Sequence, residues 1–250
     1  MAFAKPCARQ AFRVRIKGMR WRALATDFDG TLATEGVVSA NAREEVSRLR
    51  ADGIRVILVT GRELTDFDRL DVPLNIFDLV VAENGALLHN PHTGEVRGLG
   101  TPPPEEFVTE LARRGVAPLS VGASIVATVE PHEVVVIELI KEMGLEHQVI
   151  FNKGAVMVLP PGVNKASGLR VALKQLDISP SEVVAVGDAE NDHALLEMCG
   201  LPVAVVNAIP SLKARARWVT AKVNGEGMVE LMEGIRRGGF DAFEAAKAHK

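Results

Sequence analysis

Two aspartates, Asp27 and Asp29, leave the short apolar run Ala23-Leu24-Ala25-Thr26 on either side of Phe28. Side chains at i and i+2 of a strand point the same way, so both carboxylates face one point where the run ends. Gly30 follows, and a glycine admits a sharp turn that a Cβ would oppose. Carboxylates crowded into one crevice repel unless a cation or a shared proton neutralises them. The pair therefore suits a Mg²⁺ site, a nucleophile beside an acid/base, or both. Asp-Gly is also ordinary turn chemistry, so the pair alone does not decide between these.

Three more polar clusters follow, each at a strand exit or a helix start. Thr60-Gly61-Arg62 follows the apolar run Ile54–Val59. A hydroxyl, a free backbone amide and a guanidinium at a helix N-terminus suit an oxyanion, although Thr60 also suits a plain N-cap. Asn164-Lys165 follows Pro160-Pro161-Gly162 and opens a helical segment, which lets the lysine reach back to the sheet edge. Gly187-Asp188-Ala189-Glu190-Asn191-Asp192 follows Val183–Val186. Several acids there are costly without a cation, although acids also favour helix N-termini. Each cluster alone has a bland explanation. All four in order, each where open α/β sheets bind their ligands, point to one reaction centre.

The positioning elements are legible from periodicity. Arg22–Phe28, Ile54–Val59, Asp78–Ala82, Val183–Val186, Pro202–Val206 and Trp218–Thr220 read as strands. The first helix between them is capped by Ser39 or Asn41 and runs to about Ala51, and the others fall near Ala166–Leu176, Ala189–Met198, Ser211–Ala216 and Glu226–Arg237. This alternation predicts a doubly wound parallel sheet. Residues 84–162 read differently. Hairpin signals at Ala86–Leu99 and Gln148–Leu159, a helix after Pro104, a strand over Ser120–Val129 and a helix over His132–Met143 predict an inserted α+β module. The expected division is a basic tail at 1–22, a core at 23–83 and 163–237, an insert at 84–162 and a short tail at 238–250. The tail after Gly238-Gly239 reads as a small amphipathic helix carrying Phe240 and Phe243.

The 250-residue chain is 47% hydrophobic and 24% charged, as folded domains are. Seven of its 29 basic residues lie before Ala23 with no acid among them, leaving 22 basic against 32 acidic residues in the rest. An acidic body disfavours nucleic acid but not a small phosphorylated ligand recruited by a metal. No apolar run approaches transmembrane length, so no membrane span is expected. Two cysteines give no disulfide framework, and a cytoplasmic setting is the simpler reading. The N-terminal segment reads as a tail, or as sequence upstream of a start at Met19, with a short alternating strand at Phe12, Val14 and Ile16. Nothing in the sequence indicates an oligomeric state. His89, His92 and His193 are expected to be solvated, and Glu83 to cap its strand end.

With these motifs the sequence resembles the haloacid dehalogenase superfamily of phosphatases and phosphotransferases. The matching residues are Asp27-Phe28-Asp29-Gly30-Thr31-Leu32, Val59-Thr60-Gly61-Arg62, Lys165 and Gly187-Asp188-Ala189-Glu190-Asn191-Asp192. Ala82-Glu83-Asn84-Gly85-Ala86 resembles the approach to the large cap of the Cof-type branch, subclass IIB. The resemblance spans about Leu24 to Ile235. It implies Asp27 as nucleophile, forming an aspartyl-phosphate, and Asp29 as acid and then base. It implies Thr60 and Lys165 on the phosphoryl oxygens, and Mg²⁺ on the Asp27 side chain, the Asp29 carbonyl and Asp188; Gly61 and Arg62, next to Thr60, are expected at the phosphate as well, although the motif does not set the role of Arg62. Asn191 and Asp192 would support them. Members that cleave carbon–halogen bonds lack an acid at the position of Asp29, so its presence favours phosphoryl transfer. The implied activity is hydrolysis of a small phosphorylated metabolite, a phosphosugar or a phosphoglycolate-like acid. The alternatives are a phosphomutase or other phosphotransferase, and a non-catalytic binding module on the same scaffold.

Overall fold

The structure is a computed structural model that describes residues 21–70 and 72–237. The expectations for the N-terminal strand, Met19 and the C-terminal helix lie outside the described residues. The chain runs through β1 (Ala23–Thr26), α1 (Ala40–Ala51), β2 (Arg55–Val59), β3 (Leu79–Ala82), β4 (Leu87–His89) and β5 (Val96–Gly98). Next come α2 (Glu105–Arg113), β6 (Ser120–Val121), β7 (Val126–Val129), α3 (Glu133–Glu142), β8 (Gln148–Asn152) and β9 (Ala155–Leu159). It returns through α4 (Lys165–Leu176), β10 (Val183–Gly187), α5 (His193–Met198), β11 (Leu201–Ala204), α6 (Pro210–Arg215), β12 (Trp218–Val219) and α7 (Asn224–Arg236).

Local chemistry sets the element ends. Ser39 caps α1, its hydroxyl accepting from Ala42 N at 3.2 Å. Asn164 caps α4 by accepting from Ser167 N at 3.0 Å. Strands β1, β3 and β10 are buried at every residue, as parallel strands are when helices cover both faces. Helix α1 packs on α7, and α4 packs on α5.

The large sheet has the order β12-β11-β10-β1-β2-β3-β4-β5. From β12 to β3 every pairing is parallel. The chain leaves β1 outward to β2 and β3, then returns beside β1 as β10 and runs outward the other way. The switch point thus falls between β1 and β10, where such sheets open a crevice at their carboxyl ends.

The second sheet is antiparallel, in the order β6-β7-β9-β8. Helices α2 and α3 cover one face through Phe107, Leu111, Val136 and Leu139 against Val126, Val156 and Val158. On the other side Ile125, Met157 and Leu159 meet Ala86 and Val163. The two connections to this module touch: a Cβ on Gly100 would lie 2.5 Å from Pro160 Cβ.

Two expectations need correction. The hairpin over residues 87–98, expected within the insert, extends the core sheet instead, with Val80 opposite His89 and Val81 opposite Leu88. Hairpin chemistry specifies the local turn but not which exposed edge the hairpin joins, and here β3 offers that edge to the apolar Leu87 and Leu88. The single strand expected over Ser120–Val129 is two strands. Gly122-Ala123-Ser124 forms a turn between them, gripped by Glu83 from the core.

Gly168, three residues into α4 from Lys165, lets the helix touch the corner after β3. A Cβ there would lie 2.6 Å from both Gly85 Cα and Val81 Cγ1. Alanine favours a helix over glycine by about 1 kcal/mol, whereas overpacking costs about 1–3 kcal/mol. We expect the overpacking to win, so that Gly168→Ala lowers the melting temperature by several degrees in a calorimetric scan. A raised melting temperature would show that the contact has slack.

Candidate active site

Register gathers the site. Thr26 stands opposite Val186 on one side and Leu58 on the other, so β1, β2 and β10 end at one level. Asp27, Thr60 and Asp188 therefore emerge side by side. Asp27 stays attached to the sheet edge, its N–H donating to Val186 O at 3.0 Å. Phe28 turns into the core, edge-on to Phe67 at 5.1 Å between centroids, and leaves the two flanking aspartates on the other side. Gly30 has φ +84°, and a Cβ there would lie 2.4 Å from Asp188 Oδ2. The turn thus needs glycine both for its dihedral and for the close approach of the two acidic loops.

The innermost group is Lys165, 2% exposed. Its ammonium donates to Asp27 Oδ1 at 2.6 Å and Asp192 Oδ1 at 2.7 Å. The second oxygen of Asp192 accepts from the N–H groups of Asp188 and Ala189, at 2.9 and 3.0 Å. Asp192 is therefore fully committed, holding both the lysine and the loop that carries Asp188. Burial pushes Asp27 up to about 7, with Lys165 opposing the rise and Asp192 and Asp188 adding to it. Burial alone would lower Lys165, but Asp192 and Asp27 outweigh it and keep the ammonium charged. Burial also raises Asp188, against the pull of Lys153.

One oxygen each from Asp27, Asp188 and Asp192 lie within 4.8 Å of one another. Oxygen donors alone, several of them anionic, fit a hard divalent cation such as Mg²⁺. A cationic group already marks the position: Lys153 Nζ lies 2.8 Å from Asp188 Oδ2 and 3.2 Å from the Asp29 carbonyl. Those two acceptors thus converge on one point, as two ligands of a cation must. Since Asp192 is spent on Lys165 and two backbone amides, Asp27, Asp188 and the Asp29 carbonyl are the donors left for a metal.

Other expected residues fall differently. Arg62, expected on the phosphoryl group, forks onto Asp29 through Nε–Oδ2 at 2.7 Å and Nη2–Oδ1 at 2.8 Å. Asp29 is thereby fixed in the cavity lining by a bidentate pair of hydrogen bonds. Thr60 is buried, and its hydroxyl accepts from Arg62 N at 3.1 Å. Gly61 packs against the Asn84 side chain. Asn191 donates to Asn84 Oδ1 at 2.8 Å while its own Oδ1 is buried without a partner. A cavity of about 270 Å³ lies between these loops and the antiparallel module. Asp27, Asp29, Gly61, Arg62 and Asp188 line it, whereas Thr60 and Lys165 do not.

Two residues escaped the sequence reading. Glu83 does more than cap its strand: its carboxylate accepts from Ala123 N at 2.9 Å and Ser124 N at 2.7 Å, tying the core to the module. Burial raises its pKa, and those two amides restrain the rise. Glu83, Asn84 and Gly85 have successive positive φ values of 51°, 52° and 101°. Asn-Gly signals such a corner, but nothing local signals the grip. Lys153 sits in Asn152-Lys153-Gly154, which reads as hairpin-turn chemistry, and only the tertiary fold brings it to Asp188. Of the histidines, His92 bonds the Phe77 carbonyl and His193 meets Ser211 Oγ, both away from the site.

Among the described residues, no helix is long and apolar enough to cross a membrane. Residues 24–111 and 123–232 match the profile of the haloacid dehalogenase-like hydrolases. A phosphoglycolate phosphatase of Methanothermobacter thermautotrophicus is 33% identical over 226 residues, covering 84% of this chain and 97% of its own. One of Methanoculleus marisnigri is 30% identical over 228 residues, covering 85% and 95%. A solved haloacid dehalogenase-like hydrolase from Bacteroides thetaiotaomicron has the same fold, with a TM-score of 0.74 at 22% identity over 85% of this chain and 98% of that one. The chain belongs to the haloacid dehalogenase-like hydrolases, among that family's phosphatases.

Proposed function

We propose that the protein is a Mg²⁺-dependent phosphomonoester hydrolase that works on a small phosphorylated metabolite through an aspartyl-phosphate at Asp27. The observation that carries this reading is the buried Lys165 ammonium, 2.6 Å from Asp27 at the sheet's switch point, with Asp29 two residues on over the cavity. The curated relatives named phosphoglycolate phosphatase support a small acid as the substrate class.

The chemistry divides between the two aspartates. An Asp27 carboxylate oxygen attacks phosphorus, the ester P–O bond breaks, and Asp29 protonates the departing oxygen. Asp29 then takes a proton from the attacking water, the bond from phosphorus to Asp27 breaks, and inorganic phosphate leaves. Lys165 stabilises charge on the reacting carboxylate and on the phosphoryl oxygens. A divalent cation on Asp27, Asp188 and the Asp29 carbonyl would supply the neutralisation that lets a carboxylate approach a phosphate dianion.

Arg62 has a double use here. Forked on Asp29, it fixes where that carboxyl group sits. A doubly charged phosphoryl group competes for the same guanidinium. Substrate thus loosens the fork and frees Asp29 to carry the proton it must donate.

The purified protein is expected to release phosphate from p-nitrophenyl phosphate and from phosphoglycolate with Mg²⁺, and to stop with EDTA. Asp27→Asn should lower turnover by at least about 10³-fold, as loss of a nucleophile does. Asp29→Asn should cost about 10²-fold or more, the scale of a lost general acid. Full activity in Asp27→Asn would disprove the nucleophile.

Metal binding should also be linked to pH. Asp27 is raised in the folded protein from 3.8 to about 7, so without metal its contribution to stability is full below its unfolded value and is lost as pH rises through about 7. A cation needs the ionised carboxylate and displaces that proton. The gain in melting temperature on adding MgCl₂ should therefore grow between about pH 5 and about pH 8. A gain that is flat or shrinks over that range would contradict the linkage.

A further inference from the structure

The oxygens proposed for the cation come from two loops, one after β1 and one after β10, so their separation depends on what ties the loops together. One tie is direct: Thr31 Oγ1 donates to Asp188 Oδ1 at 3.3 Å. The Asp29 carbonyl needs a further hold, because it belongs to a turn around Gly30. That residue has φ +84° and no Cβ, so little in its own chemistry resists rotation of the two peptide planes it joins. Each plane is rigid in itself and is aimed by the bonds it makes. In the first plane Gly30 N donates to Ala33 O at 3.1 Å, and the Asp29 carbonyl at its other end reaches the Lys153 ammonium that marks the metal position. In the second plane Thr31 N reaches Phe28 O at 3.3 Å, and the Gly30 carbonyl accepts from Asn207 Nδ2 at 2.7 Å.

Asn207 lies after β11, in a segment that also holds the other acidic loop. Ile209 N donates to the Asp188 carbonyl at 2.9 Å, and Val205 N to the Gly187 carbonyl at 3.3 Å. The Asn207 side chain is itself pinned, its Oδ1 accepting from Asn224 N at 2.9 Å at the start of α7. A carbonyl requires a donor and an N–H an acceptor, so these two partners leave the amide one orientation. The same end of α7 backs the loop after β1, where a Cβ on Gly225 would lie 2.9 Å from Leu32 O.

We infer that Asn207 is a positioning residue for the metal centre. It holds the Gly30 carbonyl aside, so that the Asp29 carbonyl and Asp188 keep the separation that a divalent cation requires. The inference rests on the Mg²⁺-dependent reading above and adds a residue outside its four polar clusters. Asn207 is exposed and does not line the cavity, so it acts on the affinity for the cation and not on the chemical step. Mg²⁺ tolerates little distortion of its ligand geometry, which makes a misdirected carbonyl costly.

The test is titration calorimetry with MgCl₂ on wild type, Asn207→Ala and Arg236→Ala. The last variant cuts ion pairs to Asp52 and Glu45 at the far end of α7 and controls for lost stability. Asn207→Ala should weaken Mg²⁺ binding by about tenfold or more, the scale of an outer partner of a metal ligand, and Arg236→Ala by less than about twofold. With p-nitrophenyl phosphate, the Mg²⁺ concentration for half-maximal activity should rise by the same factor in Asn207→Ala, while kcat at saturating Mg²⁺ stays within about threefold of wild type. Should the alanine variant not fold, Asn207→Gln, with its amide one methylene farther out, should weaken Mg²⁺ binding by about threefold or more. Unchanged Mg²⁺ affinity in the folded variant would overturn the inference, as would a loss of kcat that saturating Mg²⁺ does not restore. An equal loss of affinity in Arg236→Ala would assign the effect to α7 as a whole and overturn it too. A wild type that releases phosphate but binds no Mg²⁺ would overturn the metal centre and the inference with it. The predicted losses of Mg²⁺ affinity in a protein that hydrolyses no ester would overturn the phosphatase reading alone.

Discussion

The site depends on one buried ammonium. Lys165 stands at the first position of α4, where the helix dipole is positive, in a setting with almost no water. Both facts oppose a charged lysine. Only Asp27 and Asp192 offset them, and losing one partner of a buried pair costs about 3–5 kcal/mol. The ion triad therefore constrains more than itself. It needs β1 and β10 adjacent, α4 docked with its first turn over their ends, and the loop after β10 folded back so that Asp192 faces inward. Gly168 permits the docking, and the two amides on Asp192 fix the loop.

The same triad leaves an imbalance. Asp27, Asp188 and Asp192 outnumber Lys165, and burial raises both Asp27 and Asp188. A protein built only for stability would replace such a cluster with apolar residues. Here the excess negative charge lies at a sheet's switch point beside a cavity, where it suits the divalent cation proposed above. Lys153 supplies part of the missing charge from the other side of the cavity, at 2.8 Å from Asp188. The closeness of module and core is thus coupled to the electrostatics of the site and not only to the apolar contact of Met157 and Ile125 with Ala86.

The parts of the molecule legible in the sequence divide from the rest along physical lines. Asp27, Asp29, Thr60, Lys165 and Asp188 are visible because each sits at a strand exit or helix start, where a polar residue stands out against an apolar run. Parallel pairing then aligns Asp27, Thr60 and Asp188, since strands that end at one level align the residues just beyond their ends, and the first turn of α4 brings Lys165 to them. The Ala86–Leu99 hairpin is visible as a hairpin, but its place on the edge of β3 is not, because local alternation carries no record of the neighbour. Arg62 on Asp29, Glu83 on Ala123 and Ser124, and Lys153 on Asp188 each join segments more than thirty residues apart. No local periodicity encodes such pairs. Two short 3₁₀ turns at Leu64–Asp68 and Leu74–Ile76 connect β2 to β3 where a longer crossover helix is usual, and they too lack an amphipathic signature.

On the proposed reading, chemistry and selection fall to different parts of the molecule. The core wall is polar, crowded and internally paired: moving Arg62 disturbs Asp29, and moving Asp192 disturbs Lys165 and the Asp188 loop at once. Such a network tolerates little change, because each lost partner leaves a desolvated charge behind. The module wall is small and apolar, with few polar groups, on a sheet stiffened by its own core of Phe107, Leu111 and Val136. Changing Ile125, Ala127, Ala155 or Met157 there would alter the shape of the cavity without breaking an ion pair. Glu83 joins the two parts through backbone amides of the Gly122–Ser124 turn, a contact that is indifferent to which side chains line the cavity. The grip can therefore stay fixed while the wall it positions varies.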